Sequence, residues 1–479
     1  MSSLAASFPL IIQGGMGIGV SNWTLARAVS MQGQLGVVSG TALDSLFVRR
    51  LQDGDVGGHL RRAIETFPLT DVAEEVLRRF FLADGRQGMP YKALPMYRQT
   101  VTRARDALTV LANYVEVFLA KEGHDGVVGI NLLTKVQMPT LASLYGAVLA
   151  GVDYVLMGAG IPREIPAALD NLAQHRTATL KLDVEGVAPR EAPLLTFDPA
   201  IHWDGAPPAP VRRPKFLPIV STDVLASVLA RKTPGIDGFV VEGPTAGGHN
   251  APPRGGTELN ESGEPIYGER DIADLAKMRA LGLPFWLAGG AGWPDRLAAA
   301  LEEGAAGVQV GTLFAYCDES GLAESLKRQT IDAVLDGTIG IKTDALASPT
   351  GFPFKVVELK GSMSAKETYT ARERVCDLGY LRLAYQRPDG RIDYRCAAEP
   401  VGTYVAKGGS EENTVGRKCL CNALMTNVGH GQVRAGGTEE PPLLTSGDDL
   451  LLLGKFLEGR TSYTAADVLD YLLAAVPVS

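Results

Sequence analysis

A closed (β/α)₈ TIM barrel, with a helical insertion after strand 2, a β-hairpin excursion before strand 5 and a C-terminal extension, is the fold class the sequence predicts. Three observations carry it. Short apolar runs alternate with amphipathic stretches from residue 9 to about 345. The runs number eight, and most lead through a Gly-rich loop into a helix. Strands separated by helices form parallel sheets, because parallel neighbours need a crossover, and eight such units favour closure. At 479 residues the chain exceeds one ordinary core, so a barrel domain (1–345) and an appended unit (346–479) are expected.

The first strand runs from Pro9 to Gln13, with residues 14–19 as its loop. Asn22 then caps a helix through Leu25, Ala28 and Val29. Leu35 to Ser39 is the second strand. The loop 14–19 fits G-x-G-x-x-G in no register, and Ser39 leaves no acidic residue to hold a ribose, so an open dinucleotide-binding sheet is disfavoured. Residues 44–118 interrupt the alternation. Their Arg and Glu content and the spacing of Val72, Val76, Leu77 and Phe80 predict an inserted helical unit. The third strand spans 126–131, followed by a helix near 140–150, and the fourth spans 153–157. Residues 178–197 read as the hairpin. The fifth strand is 216–220, with Ser221 and Thr222 opening a helix as cap residues. The sixth is 239–242, the seventh 284–288 and the eighth 307–310. Beyond about 345 the turn-rich run 348–353 opens the extension, which ends in an amphipathic helix at 464–476.

Composition narrows the function. Hydrophobic residues make up 46% and charged residues 21%, as in globular proteins. The net charge of −8 and pI near 5.5 give no footprint for nucleic acid. No apolar run reaches membrane-spanning length, and residues 1–15 lack the basic start and long apolar segment of a signal peptide. The five cysteines are few and odd in number, which fits a reducing cytoplasm.

In such a barrel the chemistry sits at the C-terminal ends of the strands. Those ends carry residues 14–17, Asn131, 158–160, 243–249, Gly289 with Gly290, and Gly311 with Thr312. Glycines there let backbone amides approach an anionic or planar ligand. The pair of loops after strands seven and eight, with a helix N-terminus, is where many barrels bind phosphate. In the stretch 242–250 His249 titrates near neutrality and can give or take a proton. By itself Gly-Gly-His fits an ordinary turn equally well.

Taken in order, these segments resemble the nitronate monooxygenases, 2-nitropropane dioxygenase-like FMN flavoproteins on a TIM barrel. The resemblance covers roughly 9–345. The run 9–16 is similar to the family's opening strand, which implies that Gln13, Gly14, Gly15 and Met16 lie against the flavin. Gly129-Ile130-Asn131 resembles the segment whose asparagine touches it. The run 242–249 resembles the strand-six signature, implying cofactor contacts at Glu242, Ala246, Gly247 and Gly248 and an active-site histidine at His249. Ala288-Gly289-Gly290 and 308–312 resemble the phosphate-binding segments, implicating Gly289, Gly290, Gly311 and Thr312. The insertion, hairpin and extension look like the longer branch that includes trans-acting enoyl reductases of polyketide and polyunsaturated fatty acid synthesis.

The resemblance implies FMN-dependent oxidation of nitronates by oxygen. The longer branch implies the alternative of an NAD(P)H-dependent enoyl or quinone reductase, with an acyl carrier protein as partner in the enoyl case. A small-molecule substrate and oxygen are the expected partners, and a homodimer stays open. Two further classes remain: a flavin-free barrel for phosphorylated sugars, and a non-catalytic scaffold. Lys181 reads as a surface lysine, His59 and His124 as surface, and His430 has no evident partner. Cys376, Cys396, Cys419 and Cys421 have the chemistry of zinc or iron–sulfur ligands but lack paired C-x₂-C knuckles, so no metal is assigned.

Overall fold

The computed structural model describes residues 8–476. The reading of residues 1–15 and the ends of both expected domains therefore fall partly outside the described residues. Eight parallel strands form one sheet: β1 (Ile11–Gln13), β2 (Gly36–Ser39), β3 (Val128–Leu133), β4 (Tyr154–Gly158), β5 (Lys215–Val220), β6 (Phe239–Glu242), β7 (Phe285–Ala288) and β8 (Gly307–Val310). Each pairs with its neighbour in the chain, and β1 pairs with β8 through Ile11 and Val308. Gln13 N donates to Leu35 O at 2.9 Å and Leu35 N to Ile11 O at 3.0 Å, which joins β1 to β2 and closes the TIM barrel.

Alternation along the strands builds two layers. Ile12, Val37, Leu156, Leu217, Val240 and Trp286 fill the barrel interior, all fully buried. The Trp286 indole donates to Pro9 O at 2.8 Å, so its polar edge is satisfied inside the plug. Ile11, Val38, Ile130, Val155 and Val308 face outward against the helices. Asn22 caps Trp23–Ser30 by accepting from Leu25 N at 2.9 Å, and Thr222 caps Asp223–Lys232 in the same manner at 3.3 Å.

The insertion is helical only in part. Helices Leu43–Gln52, His59–Ile64, Thr70–Phe80 and Arg103–Lys121 flank a non-helical run from 81 to 102. Gly85, Gly88, Pro90 and Pro95 break that run. Its backbone is satisfied by other segments: Tyr91 N donates to Gln432 Oε1 at 2.8 Å, Lys92 N to Gln52 Oε1 at 2.7 Å, and Gln99 N to the Tyr394 hydroxyl at 2.6 Å. Asp44 anchors a buried knot between insertion and tail. It pairs with Arg105 and accepts from the hydroxyls of Tyr97 (2.8 Å) and Tyr380 (2.7 Å), which hold its carboxylate charged despite burial. His430 does have partners: its Nδ1 shares a 2.8 Å hydrogen bond with Asp53, beside Tyr91.

The hairpin is present as Ala178–Lys181 against Leu194–Phe197, and Val184–Glu185 adds to the tail strand Leu383–Gln386. A feature absent from the sequence reading is the antiparallel pair Gly340–Asp344 and Phe354–Glu358, which straddles residue 345. Gly248–His249 joins it as a third strand, with His249 opposite Phe354. The last helix, Ala465–Leu473, is capped by Thr464 and buries Val468, Leu469 and Leu472. These three belong to the same hydrophobic cluster as the barrel's outer layer.

Candidate active site

The strand C-termini open into a cavity of about 1670 Å³ including its solvent-open mouth. Gly14, Gly15 and Met16 line one side. At Gly15 the backbone presses on β3: a Cβ there would stand 2.3 Å from Asn131 Cβ, and Asn131 Nδ2 donates to Gly15 O at 3.0 Å. Gln13, expected against the cofactor, lies behind the cavity wall instead. It is fully buried, donates to Ser21 Oγ at 2.8 Å and accepts from Val37 N at 3.0 Å, so it positions the loop from behind.

Two buried acceptors at the cavity, Asn131 Oδ1 and Gln309 Oε1, have no partner among the described residues. Leaving such atoms unmade costs about 1–3 kcal/mol each, so they suit a ligand that donates N–H bonds. Gln309 lies within the eighth-strand segment but was not singled out from the sequence.

At the opposite end Gly289 (φ +87°) and Gly290 (φ +66°) turn beneath Thr245. A Cβ on Gly289 would lie 3.0 Å from Thr245 Oγ1 and 3.1 Å from Ala246 N. Among the described residues the amides of Gly289, Gly290 and Gly311 donate to no protein acceptor. They leave donors for an anionic group. Thr312 Oγ1 accepts from Gly447 N at 3.1 Å and from Ser446 Oγ at 3.4 Å, which leaves its own proton to donate.

Asp449 of the tail reaches the loop between β7 and the helix Pro294–Glu302, accepting from Gly292 N at 3.1 Å and Trp293 Nε1 at 3.3 Å. The tail loop 445–449 thus forms a wall of the cavity. Gly248 N donates to Thr445 Oγ1 at 2.8 Å, and Gly247 packs so closely on Ser446 that a Cβ would meet its carbonyl carbon at 2.8 Å. Ala246 and Gly248 line the same wall.

His249 stands where this cavity meets a second one of about 850 Å³. Its Nε2 shares a 2.7 Å hydrogen bond with Ser348 Oγ, which in turn bonds Thr350 Oγ1 at 2.8 Å. The ring meets Phe354 edge-on at 4.9 Å. Burial, reinforced by the Lys135 charge, lowers its pKa to about 4, so the imidazole is neutral at pH 7. Glu242, at the end of β6, faces both cavities and makes no ion pair among the described residues. Burial raises it to about 7. Lys135, Ser348 and Asp449 escaped the sequence reading because their segments come together only in three dimensions. Lys181 is exposed on the hairpin and lines neither cavity.

Residues 201–345, which contain β5 to β8 and His249, match the family model described as nitronate monooxygenase. The chain is also similar to the (3aS,4S,5R,7aS)-5-hydroxy-7a-methyl-1-oxo-octahydro-1H-indene-4-carboxyl-CoA dehydrogenase of Mycobacterium tuberculosis, 33% identical over 123 residues. That match spans 25% of this chain and 31% of the relative's length. Among solved structures, a nitroalkane oxidase from Streptomyces ansochromogenes is 17% identical with a TM-score of 0.45, over 99% of this chain and 98% of that one. FabK from Thermotoga maritima is 16% identical with a TM-score of 0.44, over 98% and 92% of the two chains. The enoyl reductase domain of MlnA from Bacillus amyloliquefaciens is 12% identical with a TM-score of 0.46, over 99% and 96%. No helix among the described residues is long and apolar enough to cross a membrane.

Proposed function

We propose that this protein is a cytoplasmic FMN-dependent oxidoreductase that oxidises alkyl nitronates with oxygen to a carbonyl compound and nitrite. The observation that carries this reading is a neutral imidazole, His249, at the junction of a glycine-lined cavity and a second, more apolar one. Residues 1–345 would hold the flavin, and 346–479 would wall its mouth.

The amides of Gly289, Gly290 and Gly311 with the Thr312 hydroxyl would take the phosphate. Asn131 and Gln309 would accept from the ring's N–H edge, with Gly14, Gly15, Met16, Ala246, Gly247 and Gly248 along its faces. When bound, the flavin supplies one- and two-electron chemistry. His249 holds the substrate's oxygens by donating one N–H, and Ser348 fixes which ring nitrogen carries that proton. Glu242, poised near neutrality, takes or returns a proton at the same junction.

One observation favours the reductase alternative. The second cavity is lined by Ile161, Val220, Leu225, Pro244, Tyr267 and Phe352, more apolar surface than a small nitronate needs. An acyl thioester reduced with NAD(P)H would use that surface, and a carrier protein would then deliver it. Purified protein is expected to be yellow. Anaerobic bleaching by an alkyl nitronate and not by NADPH supports the oxygenase reading. Rapid bleaching by NADPH transfers the assignment to the reductase, and a colourless protein that takes up no FMN ends both.

A further inference from the structure

The wall of the second cavity is rich in hydrogen-bond acceptors. Glu242 has no charged partner there among the described residues. Asp271 accepts from Arg254 N and Gly268 N, both at 2.8 Å, on different oxygens, and each oxygen keeps a further lone pair. Tyr267 spends its proton on Ala251 O at 3.0 Å, which leaves its own oxygen to accept. Asn250 is only 1% exposed. Its Nδ2 donates to Ala246 O at 3.0 Å, which fixes the amide, and its Oδ1 has no partner among the described residues.

Against these four stand two side chains with a free proton to give, Ser221 and His249. No Lys or Arg among the described residues lines this cavity. Lys135 lies over the Phe352 ring at 5.0 Å, but it is exposed and stands outside the lining. The remaining wall is largely apolar, so charge brought into it is poorly screened.

From this imbalance we infer that the second cavity takes the end of the substrate remote from the reacting group, and that this end is an uncharged apolar body carrying an O–H or N–H donor. A buried acceptor is costly to leave unpaired, so a donor on the ligand is favoured over none. A terminal carboxylate or phosphate would place a negative charge beside Glu242 and Asp271 with no cation to offset it, and is turned away. The head of a nitronate is not affected, because it stays at the junction where His249 donates. That the occupant is the substrate rests on the reading of His249 proposed above. The selectivity belongs to the wall itself.

The test is a ligand-observed NMR titration of the full chain at about pH 8 with hexan-1-ol, 1-methoxyhexane and hexanoate, which share one alkyl chain. Hexan-1-ol should bind at least about tenfold tighter than either of the others. Asn250→Leu should bring the alcohol down toward the ether, and Asp271→Asn should admit hexanoate. Leu225→Trp and Ile161→Trp fill the cavity from its half-buried and exposed sides. Each should abolish binding of the alcohol and leave the flavin-to-protein ratio unchanged. Equal affinity for alcohol and ether overturns the donor requirement, and equal affinity for alcohol and hexanoate overturns the charge exclusion. Binding that survives both tryptophans, or no binding at all, overturns the site. Should the Asn250 and Asp271 variants fail to fold, the three probes on the unaltered protein still decide. Binding is read without turnover, so a chain that takes up no flavin would end the function proposed above and leave this result standing.

Discussion

Glu242→Gln gives the most quantitative test of the site's electrostatics. The Glu242 carboxyl titrates near 7 in the folded chain against an ordinary value of 4.5, with burial as the cause. A raised carboxyl means the folded state favours the neutral form. Its contribution to stability is therefore complete below about pH 4.5 and is lost as pH rises toward 7. Each unit corresponds to about 1.4 kcal/mol, so the full loss is about 3 kcal/mol, of which about 2 kcal/mol falls between pH 5.5 and 8. Glutamine keeps the shape and cannot ionise. Urea unfolding of both proteins at the two pH values, at matched cofactor loading, isolates this group by double difference. The unaltered protein should lose about 2 kcal/mol more stability than the variant on going to pH 8. Identical pH slopes for the two proteins would show that Glu242 is not held neutral and would refute the reasoning.

Three further outcomes are expected. His249→Ala and His249→Asn should keep bound flavin and lose most turnover. Because the imidazole is neutral above about pH 4, a limb near 7 in the turnover of the unaltered protein should belong to Glu242 and vanish in Glu242→Gln, and a limb near 6.5 that persists in that variant would contradict the burial argument. Gly15→Ala drives a Cβ into Asn131 on a barrel strand, so it should cost about 1–3 kcal/mol and lower the flavin-to-protein ratio. Trp286→Ala empties the barrel plug and should destabilise by about 3–5 kcal/mol, read as a fall in unfolding midpoint.

The barrel was legible because its code is local. Each strand is an apolar run punctuated by glycine, and all eight lie within two residues of where periodicity puts them. The cavity's glycines were legible for a related reason: they end those strands. What the sequence hid is long-range. Ser348 and Asp449 reach the barrel mouth from 99 and 157 residues downstream of the groups they contact, through a tail with no repeating period. Gln13 misled because the opening strand's last residue sits behind the wall it supports. The loop 81–102 looked helical only as part of its neighbours' pattern, and proline and glycine decided otherwise.

The three-stranded patch that carries His249 has a consequence for anyone trimming this chain. Residues 340–344 and 248–249 both depend on 354–358 for their main-chain bonds. A fragment ending at 345 would expose bare strand edges, the kind of template on which chains stack into aggregates. Limited proteolysis is accordingly better directed at surface loops such as 254–264 than at the seam between the two halves, where a single cut would release the imidazole's support along with the tail.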